Sequence, residues 1–199
     1  MTLLLAIAGA CTSGPPPPVD DRPYEAQVLA ARGEKDRYFK THDDSPLLPA
    51  DRASFTSLPY YPIDLACKVP AALTEERTDP PVFIQLQTST GELERMRRVG
   101  ALGFTLGGAS YKLTAFAPAD ATVIDRLFVP FGDLTNVDET YRGGRYLDLQ
   151  RTPTGLYDLD FNQAYHPYCV FNPNYVCPLP PRENRLRVAI RAGERLAMQ

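Results

Sequence analysis

The chain has 199 residues, 44% of them hydrophobic and 23% charged, with a formal net charge of −3 and a pI near 5.4. A chain of this length buries its own core without needing disulfide or metal staples. The acidic balance lacks the broad basic surface through which nucleic-acid binders hold phosphates, so no nucleic-acid partner is expected. The small Arg95, Arg97, Arg98 group reads instead as a charged strand edge that discourages pairing with other sheets.

In chain order, "MTLLLAIAGAC" comes first, with an apolar run from Leu3 to Ala10 that ends in small residues and Cys11. A membrane span needs roughly 20 apolar residues, so this run is too short to be one and fits the apolar region of an export signal. It resembles a bacterial lipobox, which would make Cys11 the lipidation site and the membrane a partner through the lipid. It departs from that pattern at Ala8, where leucine is preferred, and in having no Lys or Arg ahead of the run. Next, "TSGPPPPVDDRP" has little to bury, and its proline run favours an extended spacer. The expected organisation is a lipoprotein-type signal over residues 1–11, a proline-rich linker over 12–23 and a single β-rich domain over 24–199, lipid-anchored in the bacterial cell envelope.

Tyr24 to Thr41 is expected to form a weakly amphipathic helix, with Val28, Ala31, Tyr38 and Phe39 near one face. Pro46 and Pro49 then break the pattern, leaving at most one helical turn before Phe55. Beyond that point the period changes to two. Strands are expected at 66–73, 82–87, 102–106, 111–117, 126–131, 145–151, 156–164 and in "LRVAIRA", where Leu186, Val188 and Ile190 would face inward. Turn signals such as "TSTGE", "LGGAS" and "RTPTG" separate them at hairpin spacing. With no helix-length segments between strands, the fold class is mainly β: an antiparallel β-barrel or sandwich with one N-terminal α-helix.

The segments "SPL", "LPYYPID", "LFVPFGDLTNVDETYRGGRYLDL", "DFNQAYHPYCVFNPNYVCPLPPRENRL" and "IRAGE" stand in an order and spacing that resembles the domain-of-unknown-function 1684 family, over roughly Tyr24 to Glu194. The resemblance implies no particular activity, cofactor or catalytic residue. The chain departs from the family pattern at His166, where related sequences tend to have asparagine or another residue, and at Cys67, which falls outside the shared segments.

His166, Cys169 and Cys177 form H-x2-C-x7-C, three ligands where structural zinc takes four, so neither a metal nor another cofactor is expected. A thiol nucleophile at Cys169 would depend on His166 or His42 as its base, and no G-x-S-x-G elbow exists for a serine. With Cys11 lipidated, three cysteines remain. Export to an oxidising compartment and the short gap between them make a Cys169–Cys177 disulfide the expected pairing, with Cys67 a small buried hydrophobe.

Five prolines from Pro167 to Pro181 exclude a central strand there, so "HPYCVFNPNYVCPLPP" is expected to be an irregular loop, ordered by its aromatic residues. In "YDLDFN", Asp158, Asp160 and Asn162 share a strand face. The expected ligand site joins Asp160, Asn162 and Tyr165 to Glu183 and Asn184 at the far root of the loop. The "ETYRGGRYLD" hairpin would add Tyr141, Tyr146 and Arg145, the last as an anion clamp. The functional expectation is a small-ligand-binding β-domain for a polar or anionic solute. The alternatives are a hydrolase using a carboxylate pair such as Asp160 and Glu183, or a purely structural envelope protein.

Overall fold

A computed structural model describes residues 20–197. The expected signal, Cys11 and most of the proline-rich linker lie outside the described residues.

Helix α1 spans Tyr24–Thr41, as expected. Its inward stripe, however, is Tyr24, Val28, Arg32, Lys35 and Phe39, spaced by three or four residues so that all stand on one face. Val28 and Phe39 are fully buried, whereas Ala31 is exposed. The weak amphipathicity has a physical cause in this arrangement. Arg32 and Lys35 lay their stems along apolar surface and carry their charged heads into the protein, where the Arg32 guanidinium donates to the Tyr61 carbonyl at 3.0 Å. A single turn, α2 (Pro49–Arg52), follows.

Seven strands form one antiparallel sheet: β1 (Lys68–Glu75), β2 (Phe83–Gln87), β3 (Leu93–Leu106), β4 (Ala109–Pro118), β5 (Arg126–Phe131), β6 (Arg145–Gln150) and β7 (Leu156–Asp160). The order β6-β5-β4-β3-β1-β7 curls into a nearly closed barrel, with β2 paired to the first half of β3. The chain closes the remaining gap itself after leaving β7. Tyr165 comes back to β6 and exchanges two backbone bonds with Tyr146, at 2.9 and 3.0 Å. Leu102, Leu113, Leu127, Val129, Phe131, Leu159 and Phe161 fill the interior, and each such fully buried side chain stabilises the fold by roughly 1.5–3 kcal/mol.

Strand β3 begins nine residues earlier than expected, and Arg95, Arg97 and Arg98 are not on a sheet edge. They lie inside the sheet, with β2 opposite Arg95 and Arg97, and β4 opposite Arg97 and Arg98. Their charge is managed on the sheet face: the Arg95 guanidinium lies 4.0 Å from the Phe83 ring centroid, and Arg98 pairs with Glu76 at 3.0 Å. Between the two halves of β3 a bulge follows Arg98, and Gly100 backs onto the Thr74 backbone so closely that no Cβ fits.

The segment 186–192 is not a strand. Leu186, Ile190 and Ala192 are buried, so the alternation correctly reports an inward face. Its first half bonds to the backbone of residues 132–134, with the Leu186 N–H donating to the Gly132 carbonyl at 2.7 Å and the Leu134 N–H to the Val188 carbonyl at 3.0 Å, and from Ile190 onward side chains take over. The Arg145 guanidinium donates to the carbonyls of Ile190 (2.7 Å), Ala192 and Glu194 (3.1 Å), and the Ile190 N–H donates to Asp133 Oδ1 at 3.3 Å. A buried arginine stands where a neighbouring strand would. Strand β7 is likewise shorter than expected, because Asp160 caps a 3-10 turn at Phe161–Gln163 by accepting the Asn162 N–H at 3.0 Å. Residues 166–181 form the expected irregular loop, with one 3-10 turn at Tyr168–Val170.

Candidate functional site

Asp160 and Asn162 are brought together, but their partners are not those expected. The Tyr24 hydroxyl donates to both Asp160 carboxylate oxygens at 2.9 Å and accepts from Asn162 Nδ2 at 3.0 Å. Asn162 also exchanges bonds with the Asp64 backbone, at 2.9 and 2.8 Å. Every polar atom of the Asn162 amide is thus used in joining the start of α1, the "YYPID" segment and the end of β7. This is a clamp that docks the helix. Tyr24→Phe should lower unfolding free energy by about 1.5–3 kcal/mol, the range for a hydrogen bond to a charged acceptor. Urea titration of the variant checks this, and an unchanged midpoint would remove the clamp's energetic role.

Arg145 is not available as an anion clamp. It is fully buried, and its two terminal nitrogens are bonded to Asp133 at 2.8 Å and to three backbone carbonyls, so they are committed to the fold. Asn184 is also internal: it accepts from the Thr114 N–H at 2.7 Å and donates to the carbonyls of Thr114 and Pro130 at 2.8 and 2.7 Å. Glu183, one residue earlier on the turn Arg182–Asn184, points its residue to solvent. The carboxylate pair of Asp160 and Glu183 is therefore not assembled, and neither is the ring expected around Asp160. The short turns that carry these residues rotate successive side chains off the strand alternation on which the expectation rested.

No disulfide joins Cys169 and Cys177; both are free thiols. They are neighbours nonetheless, with the Cys169 N–H donating to Cys177 Sγ at 3.2 Å. Burial, acting first, raises the Cys177 thiol well above its ordinary range and pushes Cys67 up to about 11, so neither is held as a thiolate nucleophile. The Tyr141 hydroxyl is raised by burial and then by the adjacent Cys169.

His166 does not complete a ligand set with these thiols. Its Nε2 accepts from the Tyr141 N–H at 3.3 Å, and its Nδ1 lies 3.7 Å from Glu194. Glu194 in turn accepts the His166 N–H at 2.8 Å and pairs with the Lys35 ammonium. Among the described residues no group of three or more His, Cys, Asp and Glu side chains stands close enough to hold a metal. Gly193 positions this carboxylate. Its backbone is left-handed at φ 77°, and a Cβ would meet the Ala164 carbonyl and, at 2.7 Å, that of Phe161.

Of the expected residues, Tyr146 and Tyr165 line a sizeable concavity. Between α1, the 165–178 loop and the outer face of β3 to β6 lies a cleft of about 730 Å³, within the 300–1,000 Å³ typical of small-molecule sites. Aromatic rings from α1, β5, β6 and the loop contribute to its wall. Tyr146 meets Phe128 edge-on at 4.7 Å and Tyr165 at 5.7 Å, and Tyr168 meets Tyr175 at 5.3 Å. The Tyr165 hydroxyl donates to Asp148 at 2.7 Å, which fixes its ring. Lys35, Glu94, Asp148 and Arg126 supply charge at the margins. Lys35, Glu94, Phe128 and Asp148 escaped sequence reasoning because they come from four separate elements. A wider and more open groove of about 1020 Å³ runs past the β3–β4 turn, floored by small residues such as Ala72 and Gly103.

Residues 53–195 match the family model described as "Protein of unknown function (DUF1684)". A solution NMR structure of the uncharacterized protein from gene locus rrnAC0354 of Haloarcula marismortui is 41% identical, covers 87% of this chain and 94% of its own, and superposes with a TM-score of 0.68. No curated protein matches the chain. The chain belongs to the DUF1684 family.

Proposed function

We propose that this DUF1684 protein is a lipid-anchored envelope protein whose barrel binds a small ligand in the aromatic cleft beside Tyr146 and Tyr165. The observation that carries the reading is the cleft itself, which combines a ligand-sized volume, rings locked by mutual edge-to-face contacts and charged groups converging at its margins. The rings of Phe128, Tyr165, Tyr168 and Tyr175 are only half-buried, which leaves apolar surface lining the cleft for a ligand to cover. Native mass spectrometry of the gently purified protein should detect a small molecule that dissociates on mild activation. Saturating the cleft should broaden or shift the Phe128 and Tyr165 ring resonances. A protein whose ring resonances stay fixed across a broad metabolite library lacks this function.

The anchor rests on the apolar run, Cys11 and the proline spacer. In a detergent phase partition of whole cells, the wild-type chain should enter the detergent phase and Cys11→Ala should leave it. Wild-type protein recovered in the aqueous phase would remove the tether while leaving the cleft reading intact.

A further inference from the structure

The charges around the cleft are not balanced alike. Lys35 is answered by Glu194, and Arg126 lies 3.9 Å from Asp148. Glu94 and Asp125 have no such partner: among the described residues no hydrogen bond or ion pair reaches either carboxylate, and of the two Glu94 is half-buried while Asp125 is exposed. The position of Glu94 follows from the sheet. Side chains alternate along β3, so Glu94 shares with the buried Met96 the face turned to the cleft. Tyr146 and Cys177 both feel its charge. Burial alone, with no compensating neighbour, pushes this carboxyl above its ordinary range.

The same cleft shows what such a setting accommodates. At its closed end the Lys35 ammonium sits 4.5 Å from the Tyr165 ring centroid and 5.5 Å from that of Phe39, with the Glu194 carboxylate as counter-ion. Rings, a desolvated carboxylate and an ammonium complete that end. Elsewhere on the wall of the same cleft stand Glu94 and the rings of Tyr146, Phe128 and Tyr175, and among the described residues no cation pairs with the Glu94 carboxylate.

We propose that the cleft selects an organic cation, an amine or quaternary ammonium compound, with Glu94 as its counter-charge and the faces of the surrounding rings as its walls. The assignment rests on the ligand-binding reading of this cleft and specifies its ligand class. Quaternary ammonium groups suit it because they are weakly hydrated and are attracted by the negative faces of aromatic rings. An anion would meet Glu94 unscreened, at a cost that the paired Arg126 does not offset.

The test is a titration of the chain, followed through the Phe128, Tyr146 and Tyr175 ring resonances, with choline, with its uncharged isostere 3,3-dimethyl-1-butanol, and with acetate. Choline should bind about tenfold or more tightly than the isostere, and acetate should not bind. Glu94→Gln should weaken choline by a similar factor and leave the isostere unaffected. The choline-to-isostere ratio in the wild-type chain decides the matter even where the variant folds poorly. Equal binding of choline and the isostere, or stronger binding of acetate, would overturn the cationic assignment and leave a ligand-binding cleft. Silence of the rings toward all three probes, with a metabolite library also silent, would overturn both.

Discussion

Replacing Arg145 by methionine is expected to cost at least about 3–5 kcal/mol of unfolding free energy, the range for removing one partner of a buried ion pair. Domains of this kind are stable by only about 5–15 kcal/mol, so the variant should be partly unfolded at 25 °C. The size of the effect follows from the number of groups that share one side chain. Without the guanidinium, the fully buried Asp133 carboxylate loses its counter-charge, and the carbonyls of Ile190, Ala192 and Glu194 lose their donors. Each orphaned carbonyl adds a desolvation penalty to that of the ion. Backbone bonds hold segment 186–192 only as far as Val188, so the grip of its second half on the barrel weakens as well. Lysine keeps the charge but lacks the planar fork that reaches three carbonyls and a carboxylate at once, so Arg145→Lys should recover little. Pairing Arg145→Met with Asp133→Leu should restore part of the loss by removing the stranded carboxylate. Full recovery is not expected, because Asp133 also caps the turn Leu134–Val137. Urea unfolding followed by circular dichroism measures all four proteins. An Arg145→Met variant within about 1 kcal/mol of wild type would show that the pair is not what holds the C-terminal segment.

The same arginine marks the limit of what the sequence conveys. Alternation in "LRVAIRA" reports that every second residue is buried, which holds for Leu186 and Ile190. It does not report which groups satisfy the backbone, and here they are the 132–134 backbone up to Val188 and, from Ile190 onward, the Arg145 side chain 45 residues earlier. Helix α1 was legible in its bounds, since no breaker interrupts Tyr24–Thr41. Its inward face was not, because Arg32 and Lys35 count as polar in any periodicity although their stems are part of the interface. The barrel strands with one apolar face were read correctly. The first half of β3 was missed because its arginines make both faces polar, one of them stacking on Phe83. Of the candidate site, Tyr165 and the ordered loop were visible in the aromatic and proline density of one stretch. Glu94 and Phe128 were not, since a cleft assembled from distant strands leaves no local pattern. The expected ring around Asp160 failed for a related reason. Three of its members sit on or beside 3-10 turns, where strand geometry no longer fixes which residues share a face.

Lowering the pH from 7 to 5 is expected to cost the wild-type chain about 2 kcal/mol through His166 alone. The imidazole is almost wholly buried, and burial, followed by the positive charges of Arg145 and Lys35, pulls its pKa from 6.5 down to about 3. Glu194, 3.7 Å from Nδ1, does not reverse this, since its charge is already engaged by Lys35. Protonation would also set a donor at Nε2 against the Tyr141 N–H, which donates to it in the neutral form. Because the folded pKa is the lower one, the unfolded chain binds more protons between the two values. Stability from this residue is therefore complete above about 6.5 and is lost as the pH falls toward about 3, with a slope approaching 1.4 kcal/mol per pH unit. His166→Asn removes the titration while keeping a polar side chain that can face the Tyr141 N–H. His42, exposed at the end of α1, is present in both proteins, so subtracting the two pH profiles isolates His166. The difference in unfolding free energy between wild type and His166→Asn should shift by about 2 kcal/mol in favour of the variant between pH 7 and pH 5, measured by urea titration at each pH. Parallel profiles over that range would mean that His166 is charged in the folded protein, and would require Glu194 rather than Lys35 and Arg145 to govern its proton.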